Sequence, residues 1–323
     1  MKNNKQILAM DIGGTNARFG LFSFSGEKLL KIDEKWVSTK DLKNTLDLIN
    51  ACEKAFANVF SNISVISIGF AGDVCGQIAK LTNGNLEIDS SEFERFFPNI
   101  KCLLLNDFCA TAFAFIDHNL WNIEVDTIFS SQSDIGSTRA IIGAGTGLGA
   151  ALLCRDNDKW ISLPSEIGHS PFPFVGSKEI KFCDFLIKNL SVDYIRCENV
   201  LSGRGLLLLH KFLYDEDLSI EEISKKYLRN NSIILEMYSK FYARICKIWA
   251  LSTLCRGGLW ICGGIAAKNP LVIKSLKFRE EFFLEAPAHI NKFLQSIPVF
   301  LVNDTNSGLI GSAIAAKQLL FLN

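Results

Sequence analysis

Apolar residues in this chain gather into short runs, and several of those runs stop at glycine or at a small polar pair. Gln6–Met10 is the first, halting at Asp11-Ile12-Gly13-Gly14, and Ala17–Phe24 resumes beyond that turn. A third run, Leu29–Val37, follows the turn sequence Ser-Phe-Ser-Gly-Glu-Lys. This succession predicts an antiparallel meander rather than a strand–helix–strand unit. Leu42, Leu46, Ile49, Phe56 and Phe60 then recur at helical spacing. Ser38 or Thr39 is the expected cap of that helix, with Asp41 near its start. Val65–Phe70 and Lys101–Leu105 have the nearly unbroken apolar character of buried strands. The second ends at Asn106-Asp107, ahead of a helical segment, Phe108–Phe115.

Ala140–Ile142 and Ala151–Leu153 flank a second glycine turn as a hairpin, and Arg155–Lys159 forms the turn after it. From Asp217 to Leu254 the pattern is mostly helical, with neither Pro nor Gly inside it. Leu259–Cys262 is a further buried strand that stops at a Gly-Gly pair. Pro298–Asn303 is the last strand, and Ser307–Leu320 a closing helix. No linker rich in Pro, Ser or Gly divides the chain, so a domain boundary would be a hinge within compact structure. The two glycine turns with their flanking strands make a weak internal repeat.

Those turns carry the first chemical signal. Asp11, Gly13, Gly14, Thr15 and Asn16 offer backbone donors, a hydroxyl and a carboxylate; Gly145, Thr146, Gly147 and Gly149 offer the same without the acid. Bare backbone of this kind lets N–H groups reach an anion without intervening side chains. Two such turns suggest two halves gripping one polyphosphate. Neither fits GxxxxGK[ST], which excludes a P-loop. The second fits GxGxxA at Gly145, Gly147 and Ala150, but a dinucleotide fold needs a helix next, and Ala151–Trp160 reads as strand and turn. Hairpin glycines without a ligand are the plain alternative for either turn.

The carboxylate candidates also have two readings. Asp107 follows a buried strand, where α/β sheets place their sites, yet Asn-Asp before a helix is an ordinary capping pair. Glu166 and His169 flank Gly168 in a chain with four histidines. Glu198 precedes an apolar segment and could equally be a solvated charge.

Composition narrows the classes. The chain has 323 residues, 48% of them apolar and 25 of them Phe, enough for one large domain or two ordinary ones. Lys+Arg and Asp+Glu both count 34, and a balanced charge argues against a general nucleic-acid binder. The ten cysteines form no CxxC pair and no zinc spacing with His. They read as buried, reduced thiols of a cytoplasmic protein. The first apolar run is too short for a signal peptide, and no stretch is long enough to span a bilayer.

DIGGTNAR (11–18), LTN (81–83), NDF (106–108), GAGTGLG (143–149), LP-E-GH (163–169), EN-VLSG (198–203) and CGGI (262–265) occur in one order along essentially the whole chain. In this the chain resembles the bacterial-type glucokinases, ATP-dependent hexokinases of the actin-like sugar kinase superfamily. The resemblance implies a two-domain α/β fold of the actin-like ATPase (ribonuclease H-like) kind with an interdomain cleft. Its small domain would comprise residues 1–117 plus 305–323 and its large domain 118–304. It implies phosphorylation of glucose to glucose 6-phosphate by ATP and Mg²⁺, with Asp107 as the catalytic carboxylate. Asn83, Asn106, Asp107, Glu166, His169 and Glu198 would bind the sugar. Asp11, Gly13, Gly14, Thr15 and Asn16, with Gly145, Thr146, Gly147 and Gly149, would hold the phosphates. Gly263 and Gly264 would line the adenosine pocket, and Asp11 would orient Mg²⁺ through water. A homodimer is implied, with no nucleic-acid or membrane partner.

Ser165 and Ile167 stand where the family often has Gly, and Arg204 where it has Pro, so substrate preference is less fixed than reaction type. The four-cysteine zinc motif of the related ROK kinases is missing. A kinase for another hexose or an amino sugar, such as mannose or N-acetylmannosamine, is one rival reading. A non-catalytic sensor on the same scaffold is the other; with ten residues before Asp11, no DNA-binding helix-turn-helix is expected.

Overall fold

A strand that ends in glycine must turn back or cross over, and both outcomes occur here. The computed structural model describes residues 5–320, apart from 27, 58–59, 83, 132–133 and 135–136. It divides into two compact units: 1–123 with 156–164 and 305–323, and 124–155 with 165–304.

In the first unit, β1 (Gln6–Ile12), β2 (Asn16–Ser25) and β3 (Lys28–Ser38) form the expected antiparallel meander. β4 (Ile63–Phe70) adds parallel to β1 on its other side. The small antiparallel sheet of β5 (Gly72–Cys75), β6 (Ile78–Leu81) and β7 (Glu87–Asp89) comes next in the chain. β8 (Lys101–Asn106) completes the main sheet in the order β3-β2-β1-β4-β8. The second unit repeats this plan. β9 (Val125–Phe129) is an edge strand, and β10 (Arg139–Ala144) forms an antiparallel hairpin with β11 (Leu148–Asp156). β12 (Lys159–Ser165) falls almost wholly in the first unit's 156–164 segment; in the second unit β13 (Leu259–Cys262) lies parallel to β10, and β14 (Val299–Val302) lies parallel to β13. The order there runs β11-β10-β13-β14-β9. Each unit therefore has a glycine-turn hairpin whose first strand pairs antiparallel with its hairpin partner on one edge and parallel with a later strand on the other, which realises the internal repeat at the level of topology.

Helices cover these sheets. α1 (Thr45–Phe56) is shorter than its apolar spacing predicts. The Ser38 hydroxyl accepts from Lys40 N–H and caps only the single 3₁₀ turn Thr39–Asp41, so the helix starts later, capped by Asn44. α2 (Ser90–Phe96) and α3 (Asp107–Phe113) follow. In the second unit come α4 (Gly176–Leu190), α5 (Cys197–Val200), α6 (Gly203–Tyr214), α7 (Ile220–Tyr227) and α8 (Ile233–Thr253). The helical stretch expected over 217–254 is thus two helices. Ser232 separates them, its hydroxyl donating to Tyr227 O and accepting from Leu235 N–H as the cap of α8. α9 (Gly264–Lys268), α10 (Leu271–Lys274), α11 (Leu276–Phe283) and α12 (Ala288–Gln295) precede α13 (Ser307–Leu320).

α13 closes the first unit. Gln318 exchanges two hydrogen bonds with the backbone of Trp160 (2.9 and 3.1 Å), which ties residues 156–164 to it. α13 also packs backbone-close on α3, because a β-carbon on Gly311 would lie 2.0 Å from Ala110 O. The second unit's core is aromatic: Phe182 stacks on Phe241 at 6.0 Å, and Phe172 meets Phe241 edge-on at 5.3 Å. Beside it Arg244 is buried between Glu179 and Glu281 (2.6 and 2.7 Å) and donates to Pro173 O. No helix among the described residues is long and apolar enough to cross a membrane. All ten cysteines are free thiols. Burial raises the Cys102 thiol out of the range where it would ionise, and it pushes the thiols of Cys109 and Cys255 up to about 11.

Gly311→Ala should force α3 and α13 apart and cost about 2–3 kcal/mol, the scale of an overpacked core. Urea unfolding measures this; a variant as stable as the parent would show that the helices separate without penalty.

Candidate active site

The candidate groups of the first unit sit at strand ends. The N–H of Gly13 donates to Asn16 O (3.0 Å), which closes the first glycine turn and leaves Gly14 and Thr15 exposed. Asp11 stands at the foot of this turn on β1. Arg18, on β2, carries no motif signal of its own beyond its place in DIGGTNAR, yet it organises the surroundings. Its Nη2 meets Asp11 Oδ2 at 2.7 Å and donates to Thr305 O, while Nη1 donates to Asn306 Oδ1 at 2.9 Å. The guanidinium also lies 5.1 Å from the ring centre of Trp36. Asp11, Gly13, Asn16, Arg18, Trp36 and Thr305 line a cavity of about 400 Å³.

β8 delivers Asn106 and Asp107 to the start of α3. The Asn106 side chain caps that helix, its Oδ1 accepting from Phe108 and Cys109 N–H (3.0 and 3.3 Å) while its amide donates to Gly72 O at 3.4 Å. Capping fixes the backbone that carries Asp107, which is half-buried and accepts from Phe108 N–H at 2.9 Å. The capping and site readings of this pair are therefore compatible. Asn83 lies outside the described residues.

The second unit gathers more of the candidates. Gly145 N–H donates to Gly147 O (2.8 Å) to close the second turn, and Gly203 N–H at the start of α6 donates to Gly145 O (2.9 Å). Thr146 is exposed at the tip, and Gly149 has entered β11. Gly263 and Gly264 stand where β13 passes into α9, next to this turn, since Gly143 pairs with Cys262 across the ladder. Glu166, Gly168 and His169 belong to a tight loop with Ile167. That loop is zipped to the segment bearing Glu198 by bonds from Phe172 N–H to Ile195 O and from Cys197 N–H to Ser170 O (2.8 and 2.9 Å). Residues 29 positions apart in sequence thereby face one another. His169 Nε2 lies 3.4 Å from Glu166 Oε2, and Nδ1 lies 3.6 Å from Glu198 Oε1. The cluster adjoins the second turn, because a β-carbon on Gly147 would lie 3.2 Å from Glu198 Oε2. Arg196 completes it, with Nη1 donating to His169 Nδ1 at 3.1 Å and Nη2 at 3.4 Å from Glu198 Oε1. Its signal in the sequence was only its place two residues before Glu198.

A glycine-walled turn beside converging carboxylates and an imidazole is suited to holding a polyhydroxylated ligand next to phosphate groups. The sequence profile of the glucokinase family, described as Glucokinase, matches residues 8–319.

The chain belongs to the glucokinase family.

It is an enzyme, and its reaction is the ATP-dependent phosphorylation of glucose. The glucokinase of Campylobacter jejuni subsp. doylei is 30% identical over 331 residues, covering 98% of this chain and 95% of that protein. A glucokinase from an Antarctic psychrotroph superposes with a TM-score of 0.81 at 27% identity, covering 97% of this chain and 99% of the other. The glucokinase of Balamuthia mandrillaris, solved in complex with glucose, shares the fold at a TM-score of 0.77 and 21% identity, over 97% of this chain and 94% of that one. The mixed α/β fold expected from sequence agrees with these structures, and the glucokinase-family match disfavours the sensor and other-sugar readings.

Gly168 tests the coupling of the loop to the second turn, because a β-carbon there would fall 2.2 Å from Leu148 O. Gly168→Ala should displace one or the other, and a shift of about 1 Å in such a site lowers turnover by about 10²-fold. Steady-state kinetics with glucose reads this; an unchanged kcat/KM would show that the loop and the turn are independent.

Proposed function

We propose that Asp107 is the carboxylate to which the attacking glucose hydroxyl gives its proton, with Asn106, Glu166, His169 and Glu198 holding the other hydroxyls. The observation that carries this reading is the convergence of Glu166, His169 and Glu198 within 3.6 Å contacts, beside the glycine turn at Gly147. Hydroxyls differ only in position, so directional acceptors on rigid backbone are what distinguish one hexose from its epimers. Asn83 belongs to the same proposed set by its motif alone.

In the step itself the 6-hydroxyl oxygen of glucose forms a bond to the terminal phosphorus of ATP, the bridging P–O bond breaks, and ADP leaves with that electron pair. Such a transfer needs alignment and charge neutralisation more than covalent help. The turn that the Gly13 N–H closes, with Gly14, Thr15 and Asn16, serves the phosphates on one side. Gly145, Thr146, Gly147 and Gly149 serve them on the other, and Gly263 with Gly264 borders the adenosine. Asp107 accepts the proton late, once bonding to phosphorus has acidified the hydroxyl.

The donor set fits Mg²⁺ bound chiefly through nucleotide phosphates. Among the described residues no cluster of His, Cys, Asp and Glu makes an all-protein cage, and Asp11 is the carboxylate at the phosphate turn. When bound, the ion neutralises the phosphate oxygens. Asp11, steadied by Arg18, would orient its water ligands. The actin-like arrangement, a homodimer and a cytoplasmic location complete the proposal. The repeated hairpin-plus-parallel-strand plan of the two units supports the first of these.

Asp107→Asn should retain glucose binding by calorimetry and lose about 10²–10⁴ in kcat in a coupled ADP-release assay. Near-normal turnover in that variant dismisses the assignment. Across a hexose panel glucose should have the highest kcat/KM, and a stronger preference for mannose or an amino sugar would transfer the proposal to that substrate.

A further inference from the structure

We propose that Arg196 is a positioning residue that fixes His169 as its Nε2–H tautomer, so that the imidazole acts as the hydrogen-bond donor among the carboxylates of the sugar site. This rests on the sugar-binding role proposed for Glu166, His169 and Glu198; the tautomer itself follows from geometry alone.

A guanidinium has donors and no acceptor. Arg196 Nη1 lies 3.1 Å from His169 Nδ1, so that nitrogen must supply the lone pair and carries no proton. The ring proton then belongs to Nε2, on the side facing Glu166. Without Arg196 the preference would weaken. Glu198 Oε1 lies 3.6 Å from Nδ1 and is an acceptor that would draw a proton onto that nitrogen. Arg196 competes for the same carboxylate through Nη2 at 3.4 Å. The backbone behind the guanidinium is fixed independently: Arg196 bridges to Pro171, and its N–H donates to Asn199 Oδ1 at 2.9 Å.

The consequence is chemical. With a proton on Nδ1, Nε2 would be one more acceptor beside two carboxylates, and the oxygen of a bound hydroxyl would find no donor there. With the proton on Nε2, one sugar hydroxyl can accept from the imidazole while donating its own hydrogen to a carboxylate oxygen. The site then selects a hydroxyl at that ring position over a hydrogen or an ether, because only a hydroxyl satisfies both groups.

Long-range ¹H–¹⁵N spectra of histidine-labelled protein test this, since the chain has four histidines and His169→Asn assigns the relevant signal. In the parent enzyme without sugar at neutral pH, Nδ1 should appear as the unprotonated nitrogen and Nε2 as the protonated one. Arg196→Met should bring a proton onto Nδ1, whereas Arg196→Lys, whose ammonium also only donates, should keep the parental pattern. The KM for glucose should rise about three- to tenfold in Arg196→Met, the size of one lost hydrogen bond, with the KM for ATP unchanged. A proton on Nδ1 in the parent, or identical spectra for the parent and Arg196→Met, overturns the proposal. The expected spectra with an unmoved glucose KM would overturn the role in sugar recognition instead. The turnover of Asp107→Asn reports separately on the reaction assignment.

Discussion

Each unit depends on a strand that ends in side-chain-free backbone and is held there by a single tight bond. Gly13 N–H to Asn16 O closes one turn, and Gly145 N–H to Gly147 O closes the other. An anion can be bound by backbone N–H groups only if no β-carbon stands in the way and the backbone does not move. The first condition is met by composition, the second by the ladder on either side. β1 and β10 are each paired antiparallel on one edge and parallel on the other, which leaves the turn little freedom. The rest of each unit serves this constraint: α13 and α3 interlock at Gly311, and α6 donates from Gly203 to the second turn.

Charge around the turns is handled by arginine. Arg18 and Arg196 each bind a carboxylate together with a second acceptor, a use suited to the planar, permanently charged guanidinium. Arg18 ties Asp11 to the backbone that opens α13, and Arg196 ties Glu198 to His169. Both contacts hold polar side chains of the candidate site in place, which lowers the ordering cost of binding. Arg244 plays the structural counterpart deeper down, where Glu179, Glu281 and Pro173 O surround it and leave its charge compensated.

The fates of the sequence-derived elements have physical reasons. Runs that fill a buried strand are legible because nearly every position is apolar or small, as in Val65–Phe70, where Ser67 is the one buried polar residue, Leu259–Cys262 and the hairpin around Gly143–Ala150. β5, β6 and β7 leave little signal in the sequence because they are short, half-exposed and mixed in polarity. α4 carries Lys178, Lys181, Asp184 and Lys188 on its exposed face, and these charges mask its apolar stripe. The start of α1 is ambiguous in the sequence because Ser38 and Asn44 are equally good caps in isolation. Only the extended backbone of Leu42, after one 3₁₀ turn, decides between them.

By itself the sequence determined where backbone could be bare, which acids follow buried strands, and that the motif order is that of a glucokinase. These are local properties, set by residue type and near neighbours. Tertiary structure alone decided that Glu198 would meet His169, since the bonds joining their segments link residues distant in the chain. It also decided that Arg18 and Arg196 would be partners of the site rather than solvated charges. A long cationic side chain has no preferred destination until the fold brings acceptors within its reach.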